Sequence, residues 1–298
     1  MTRSQISDLK QEFIRQRQAF MRKHISAAEK KLYDQIYRKV ISNLELDGGS
    51  INSTGKNLNL ASDIDAIYKD FNKKEYTNIL KQFSADLAKI ASLNGDYFRV
   101  VAEDTTPKRF DSVKKEVKDF MSKRVGLNSK DEIVKGGYLD RLISDESLKN
   151  SIKDKILKGI TNKKPVTDLV KTLEKTIVGN PNVDGGLVRH FNQHMHDTYN
   201  QFDRTTSMKF AERLDLQFFI YQGGKIKTSR PFCVKRDGKC FTTQEAEQWK
   251  SLIGSDNGPM ADKNDYNPLV DCGGFNCRHS IDYISDSLAK RYRPDMFN

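Results

Sequence analysis

Two short stretches, Ser229-Arg230-Pro231-Phe232-Cys233 and Cys272-Gly273-Gly274-Phe275-Asn276-Cys277-Arg278-His279, decide how this chain is read. All four cysteines lie in or beside them: Cys233 and Cys240 flank an Asp237-Gly238 turn, and Cys272 and Cys277 enclose a loop with two glycines. Around these stretches the texture is that of a small α+β module. Leu216 to Tyr221 is a run of β-formers, Gly223-Gly224 has the composition of a two-residue turn, and Lys225 to Thr228 is predicted to return as the second strand of a β-hairpin. Thr242 or Thr243 is predicted to cap a helix that contains Trp249, and Arg278 to Ile284 alternates like a strand.

Upstream the pattern is helical. From about residue 4 to 46 the apolar residues Ile6, Leu9, Phe13, Phe20, Ala28, Leu32, Ile36, Val40 and Leu44 recur at helical spacing, with Arg and Lys on the other side. Asp47-Gly48-Gly49 stops that helix. Further helices are predicted with caps at Ser62 or Asp63, then across Tyr76 to Ile90, from Pro107 to a stop at Gly126, over Leu139 to Ile160, and from Pro165 to Ile177. Tyr97 to Val101 reads as a short extended piece. A long helix after Asp184-Gly185-Gly186 carries His190, His194, His196 and Asp197. His190 and His194 are four apart, as metal ligands on one helix face would be, but Phe191 stands where a zinc protease has its glutamate. The expected class is α+β and mostly α, with a helical region over 1–180 and the α+β module over 181–298.

The chain has 298 residues, 37% of them hydrophobic and 31% charged, with a formal net charge of +11. The mean hydropathy is −0.69 and the pI about 9.3. This balance suits a protein with much solvated or partner-facing helix surface, and the basic excess suits polyanionic neighbours such as nucleic acid. The lysines are scattered among acids, so the contact expected with DNA is to phosphates, independent of sequence and sensitive to salt. No signal peptide and no bilayer-spanning apolar run is visible, and the thiols are expected to start reduced in the cytoplasm.

Four thiols and the His279 imidazole suffice for a tetrahedral zinc site, drawn from Cys233, Cys240, Cys272, Cys277 and His279. Their spacings match none of the tight Cys-x-x-Cys pairs. A disulfide formed outside the cell, or reduced thiols packed in a small core, are the alternatives the sequence leaves open, with packed thiols the leading one. Cys277 and His279 are a conceivable nucleophile and base. The zinc-deaminase, nucleophile-elbow, phosphate-loop and dinucleotide signatures are missing from the sequence, and catalysis is not expected.

Taken in order, Gly185-Gly186-Leu187, Tyr199-Asn200-Gln201-Phe202-Asp203-Arg204, Phe219-Ile220-Tyr221-Gln222-Gly223-Gly224, Thr228 to Cys233, Gly238-Lys239, Trp249 and Gly273 to His279 resemble the C-terminal domain of tailed-phage minor head proteins, the phage Mu F-like or head-morphogenesis family. The resemblance covers roughly residues 184–285. It implies a virion structural protein, a minor capsid component present in few copies at the portal vertex or inner capsid. Such a protein would act in head assembly, DNA packaging or genome delivery. Its implied partners are the portal protein, the major capsid protein and packaged double-stranded DNA, with no membrane required. Arg230, Cys233, Gly273, Gly274, Asn276, Cys277, Arg278 and His279 fall on the recurrent motif, whereas Cys240 and Cys272 do not. The Cys-x-x-Cys and His-Pro-x-Cys-Arg-Cys pairs of many members are replaced here. Two other readings stand beside this one: a metal-dependent nuclease, since some domains of this type are fused to toxins, and a packaged DNA-binding protein ejected with the genome. With only residues 286–298 after the module in this sequence, an appended effector is not expected.

Overall fold

A computed structural model describes residues 1–298 except Glu103, 129–131, 144–145, Met195 and Asn298, and except the side chains of Leu142, Ile143, Gln193, His194 and His196. The fold is α+β and mostly α, with 67% of residues helical and a few small antiparallel sheets. In chain order, α1 (Arg3–Lys39) leads to a hairpin of β1 (Leu46–Asp47) and β2 (Ser50–Ile51). Helix α2 (Gly55–Phe71) passes through a π-helical turn (Asn72–Tyr76) into α3 (Thr77–Val101). There follow α4 (Pro107–Val125), α5 (Tyr138–Ile143), α6 (Ser147–Thr161) and α7 (Val166–Ile177), then the strands β3 (Gly179–Asn180) and β4 (Val183–Asp184). Helices α8 (Gly186–His194) and α9 (His196–Arg213) precede β5 (Phe218–Gln222), α10 (Pro231–Arg236) and β6 (Lys239–Thr242). The chain closes with α11 (Thr243–Glu247), α12 (Pro268–Asp271), β7 (Ser280–Ile284) and α13 (Asp286–Tyr292).

The chain divides into two compact units, and neither is a single stretch of sequence. One contains residues 1–16, 86–124 and 196–298; the other contains 17–85 and 125–195. The division therefore differs from the boundary expected near residue 180. Helices α1 and α3 each contribute residues to both units, which a division by composition along the chain does not reveal.

In the unit that carries the cysteines, β5 is the central strand, with β6 on one side and β7 on the other, both antiparallel. Phe218, Phe219, Ile220 and Tyr221 are all buried, so β5 is covered on both faces. Phe218 and Ile220 pack with Cys240, Ile284 and Ala289. On the other face Phe219, Tyr221 and Phe241, together with Phe232 of α10, surround Trp249 edge-on, with ring centroids 5.3 to 6.1 Å away. Such aromatic pairs add specific geometry to the large area they bury. Thr242, one of the two expected caps, starts α11 and forms a reciprocal capping box with Glu245, whereas Trp249 lies beyond α11 in a 3₁₀ turn (Gln248–Leu252).

The strand expected at 225–228 is a loop with Ile226 exposed, and β5 pairs with β6 and β7 instead. Gly223 is not there to make a tight turn. A Cβ on it would come within 2.7 Å of the His279 backbone, so its smallness lets the β5 end lie against His279. Residues 97–101, expected to be extended, are helical within α3, where Tyr97 and Phe98 are fully buried. Packing has overridden local β-preference there.

In the second unit, α6 packs against both α2 and α7. The contacts bury Ile64, Ile67 and Phe71 of α2, Ile152, Ile156 and Ile160 of α6, and Leu169, Leu173 and Ile177 of α7. Helix α2 is capped by Thr54 rather than by Ser62 or Asp63. Glu29 of α1 is buried and accepts the Val188 N–H at 2.9 Å, placing a carboxylate on the first turn of α8. The buried stripe of α1 also departs from the predicted one. Leu9 and Phe20 are exposed, while Ile14, Met21 and Ile25 are buried together with two charged residues, Lys10 and Glu29.

Candidate functional site

The loop from Cys272 to His279 is held in shape by its backbone. Cys272, Gly274 and Asn276 have φ of +53°, +88° and +55°, so every second residue turns left-handed and the chain coils tightly on itself. At Gly274 a side chain would collide with the Met260 carbonyl, and the N–H groups of Phe275 and Cys277 are satisfied by the Met260 and Gly274 carbonyls. The Tyr266 hydroxyl donates to the Cys272 carbonyl at 2.5 Å.

Two arginines grip this loop. Arg204, buried in α9, donates from Nη2 to the carbonyls of Cys277 and His279, from Nε again to His279, and from Nη1 to Val270, at 2.5 to 2.9 Å. Arg230, at the start of α10, reaches the Gly273 carbonyl at 3.4 Å and the Phe275 carbonyl at 2.5 Å. Arg278 is exposed and lines the mouth of a neighbouring cleft. The planar guanidinium suits such multiple carbonyl contacts in a way a lysine ammonium cannot.

Behind the grip lies a cluster of thiols. Cys233 Sγ and Cys277 Sγ are 3.8 Å apart, and His279 Nδ1 is 3.8 Å from Cys277 Sγ. The Tyr221 hydroxyl sits 3.3 Å from Cys233 Sγ and 3.7 Å from Cys277 Sγ, with its ring stacked 5.0 Å from the imidazole. The Gly273 N–H points at Cys277 Sγ from 3.3 Å. Hydrogen bonds from Cys233 and Cys272, with support from His279 and the Arg204 charge, hold the Cys277 thiol well below the ordinary thiol range against the opposing effect of burial. Its partner Cys233 is pushed upward by that same hydrogen bond and by burial. Burial alone would lower the Arg204 pKa, but Cys272, Cys277, Tyr221 and Asp203 raise it overall.

His279 Nε2 is buried without a hydrogen-bond partner and lies 3.7 Å from Asp237 Oδ1, within ion-pair range but too far for a hydrogen bond. Of the five residues with ligand chemistry in the sequence, Cys233, Cys277 and His279 converge. Cys272 is fully buried beside Cys277, and burial is the main cause of its raised pKa. Cys240 points into the apolar cluster with Phe218 and Ile284. The four cysteines are free thiols. His190 is half-buried on α8, and the side chains of His194 and His196 lie outside the described residues. Two thiols and an imidazole so placed can ligate a soft metal, be oxidised to a disulfide, or, once one thiol is ionised, attack an electrophile.

Sequence reasoning missed a second buried group in the same unit. Lys10 Nζ contacts Asp203 Oδ1 at 2.9 Å and donates to Asn94 Oδ1, while Asn94 and Gln11 donate to Asp203 and Ser207 donates to Asn94. Its sequence signal was α9 itself, where Asp203 to Ser207 are five consecutive polar residues, all buried. Comparison with protein-family models, with curated proteins and with solved structures gives no match. No described helix is long and apolar enough to cross a membrane.

Proposed function

We propose that the chain is a structural component of a tailed-phage head, a minor head-morphogenesis protein that works through assembly rather than catalysis. The observation that carries this reading is the convergence of the separately spaced motif segments. Arg204, the last residue of the 199–204 segment, bonds the backbone of Cys277 and His279, and Arg230 of the 228–233 segment bonds Gly273 and Phe275. Residues that resemble the family in sequence order are therefore also neighbours in space, and most of their polar capacity is spent on each other's backbone. That is the use of arginine expected in a rigid module. The net charge of +11 suits a location near packaged DNA. The portal and major capsid proteins are the partners this reading assigns.

Quantitative mass spectrometry of purified, nuclease-treated virions tests the proposal. A fixed, low ratio of this chain to the portal protein is the expected result. Its absence from mature particles would overturn the structural assignment and turn attention to a cell-acting enzyme.

A further inference from the structure

Cys233 Sγ, Cys277 Sγ and the nearest His279 nitrogen all lie within 4.8 Å of one another, and all three residues are buried. Tetrahedral zinc, with Zn–S near 2.3 Å and Zn–N near 2.0–2.1 Å, needs sulfurs about 3.8 Å apart and a sulfur-to-nitrogen distance of about 3.6 Å. The corresponding distances here are 3.8 Å between the sulfurs and 3.8 Å from Cys277 Sγ to His279 Nδ1. Van der Waals packing of thiols sets no requirement for this triangle, because an apolar core tolerates sulfur in many arrangements.

Three further features shape the same spot. A Cβ on Gly273 would stand 2.4 Å from Cys233 Sγ and 3.2 Å from Cys277 Sγ, so only glycine leaves both sulfurs in place. The unpartnered, buried Nε2 of His279 faces the Asp237 carboxylate. Ligation through Nδ1 puts the ring proton on Nε2, where a carboxylate is the usual outer partner of a metal-bound histidine. Finally, a cleft of about 230 Å³ opens onto all three candidate ligands, with Arg230, Arg278 and Ser229 also in its wall.

We propose that Cys233, Cys277 and His279 bind one zinc ion through Sγ, Sγ and Nδ1, that Asp237 orients the imidazole, and that the fourth coordination position faces the cleft and takes an exchangeable ligand. Cys272 does not belong to the set of mutually close ligand atoms, which leaves that position to water or a small anion beside the two arginines. Two thiolates and an imidazole favour zinc over the hard cations magnesium and calcium. The inference rests on these residues alone and is independent of a role in the phage head.

The test uses the full chain, purified under reducing conditions. Elemental analysis is expected to give one zinc per chain. Replacement by cobalt(II) is expected to give thiolate-to-metal charge-transfer bands and the intense visible bands of a four-coordinate site. Azide is expected to shift the visible bands, since it can enter only an open position. Cys272→Ser should retain one equivalent of metal, and Asp237→Asn should bind it roughly 10–100-fold more weakly while remaining folded. Cys233→Ser with Cys277→Ser should abolish binding, and chelation and reloading of the unaltered chain guards against a variant that fails to fold. Overturning results are a metal-free chain that binds cobalt no better than the double variant, a Cys233–Cys277 disulfide in freshly purified protein, or one equivalent of another metal. Cobalt bands indifferent to azide, together with metal loss in Cys272→Ser, would overturn the open position.

Discussion

Lys10 Nζ lies 2.9 Å from Asp203 Oδ1, and both side chains are almost wholly removed from solvent, at 1% and 3% exposure. An ion pair so placed is not strongly stabilising as a pair, but each charge becomes a severe liability without the other. Lys10→Met is therefore expected to destabilise this unit by about 3–5 kcal/mol. Adding Asp203→Asn should recover part of the loss, because no orphaned charge remains. Urea unfolding followed by the fluorescence of Trp249, the single tryptophan, measures both. Additive losses in the double variant would show that the pair is not coupled.

Arg204 makes its bonds from three different nitrogens to three carbonyls. Arg204→Lys keeps the charge but concentrates the donors at one point, leaving buried carbonyls unpaired at about 1–3 kcal/mol each. The expected outcome is a loss of at least about 2 kcal/mol and faster amide exchange across residues 272–279. Protection equal to the parent chain would show that the loop holds its shape without the clamp.

Gly273→Ala and Gly224→Ala separate steric from conformational demands. At Gly273 the new methyl meets Cys233 Sγ, and the expected cost is about 1–3 kcal/mol through displaced core atoms. Gly224 has φ of +71° with no atom near its Cβ position, so only the left-handed backbone is penalised, at about 1–2 kcal/mol. Thiol labelling rates distinguish them: Gly273→Ala should expose Cys233, whereas Gly224→Ala should leave it protected.

Glu29 gives the second unit a dependence on pH. Burial raises its carboxyl pKa from 4.5 to about 7, against the opposing bonds from the Val188 and Leu187 N–H groups. Between those two values the folded chain holds a proton that the unfolded chain has released. Stability should therefore fall as pH climbs from about 4.5 to about 7, by up to about 3 kcal/mol, and stay at the lower level above. Glu29→Gln is expected to flatten this slope in thermal melts recorded by circular dichroism. An unchanged slope in the variant would assign the pH dependence to another group.

Much of the local architecture was written in short stretches. The cap at Thr242, the stop at Gly126 with φ of +80°, the helix opened by Pro107 and the one that starts beside Pro165 need only neighbours three or four residues away. The module's class followed from the β-formers and turn residues around the cysteines. What escaped was set by distant partners. Gly223 reads locally as half of a turn, but its neighbour is His279; Tyr97 reads as a strand former, but its hydroxyl donates to the Tyr283 carbonyl. Within the site, the sequence grouped five potential ligands, and only the fold separates Cys240, which lies on the opposite face of β5 from Tyr221. Lys10 was indistinguishable from a solvated lysine because Asp203 and Asn94 are remote in sequence.

The interleaving of the two units has a consequence for how the chain is made. Ser7 donates to Asp282, and Lys10 needs Asp203, so the first helical turns leave the ribosome long before their counterparts exist. At roughly 5–20 residues per second, the wait for Asp203 alone is on the order of ten to forty seconds. Over that interval the unit made of residues 17–85 and 125–195 can be completed, while residues 1–16 carry an unmatched lysine and exposed Ile6 and Ile14. Nascent chains arrested before β7 should therefore be protease-sensitive at their amino-terminal end and bind holdase chaperones there, and release of the full chain should abolish both together.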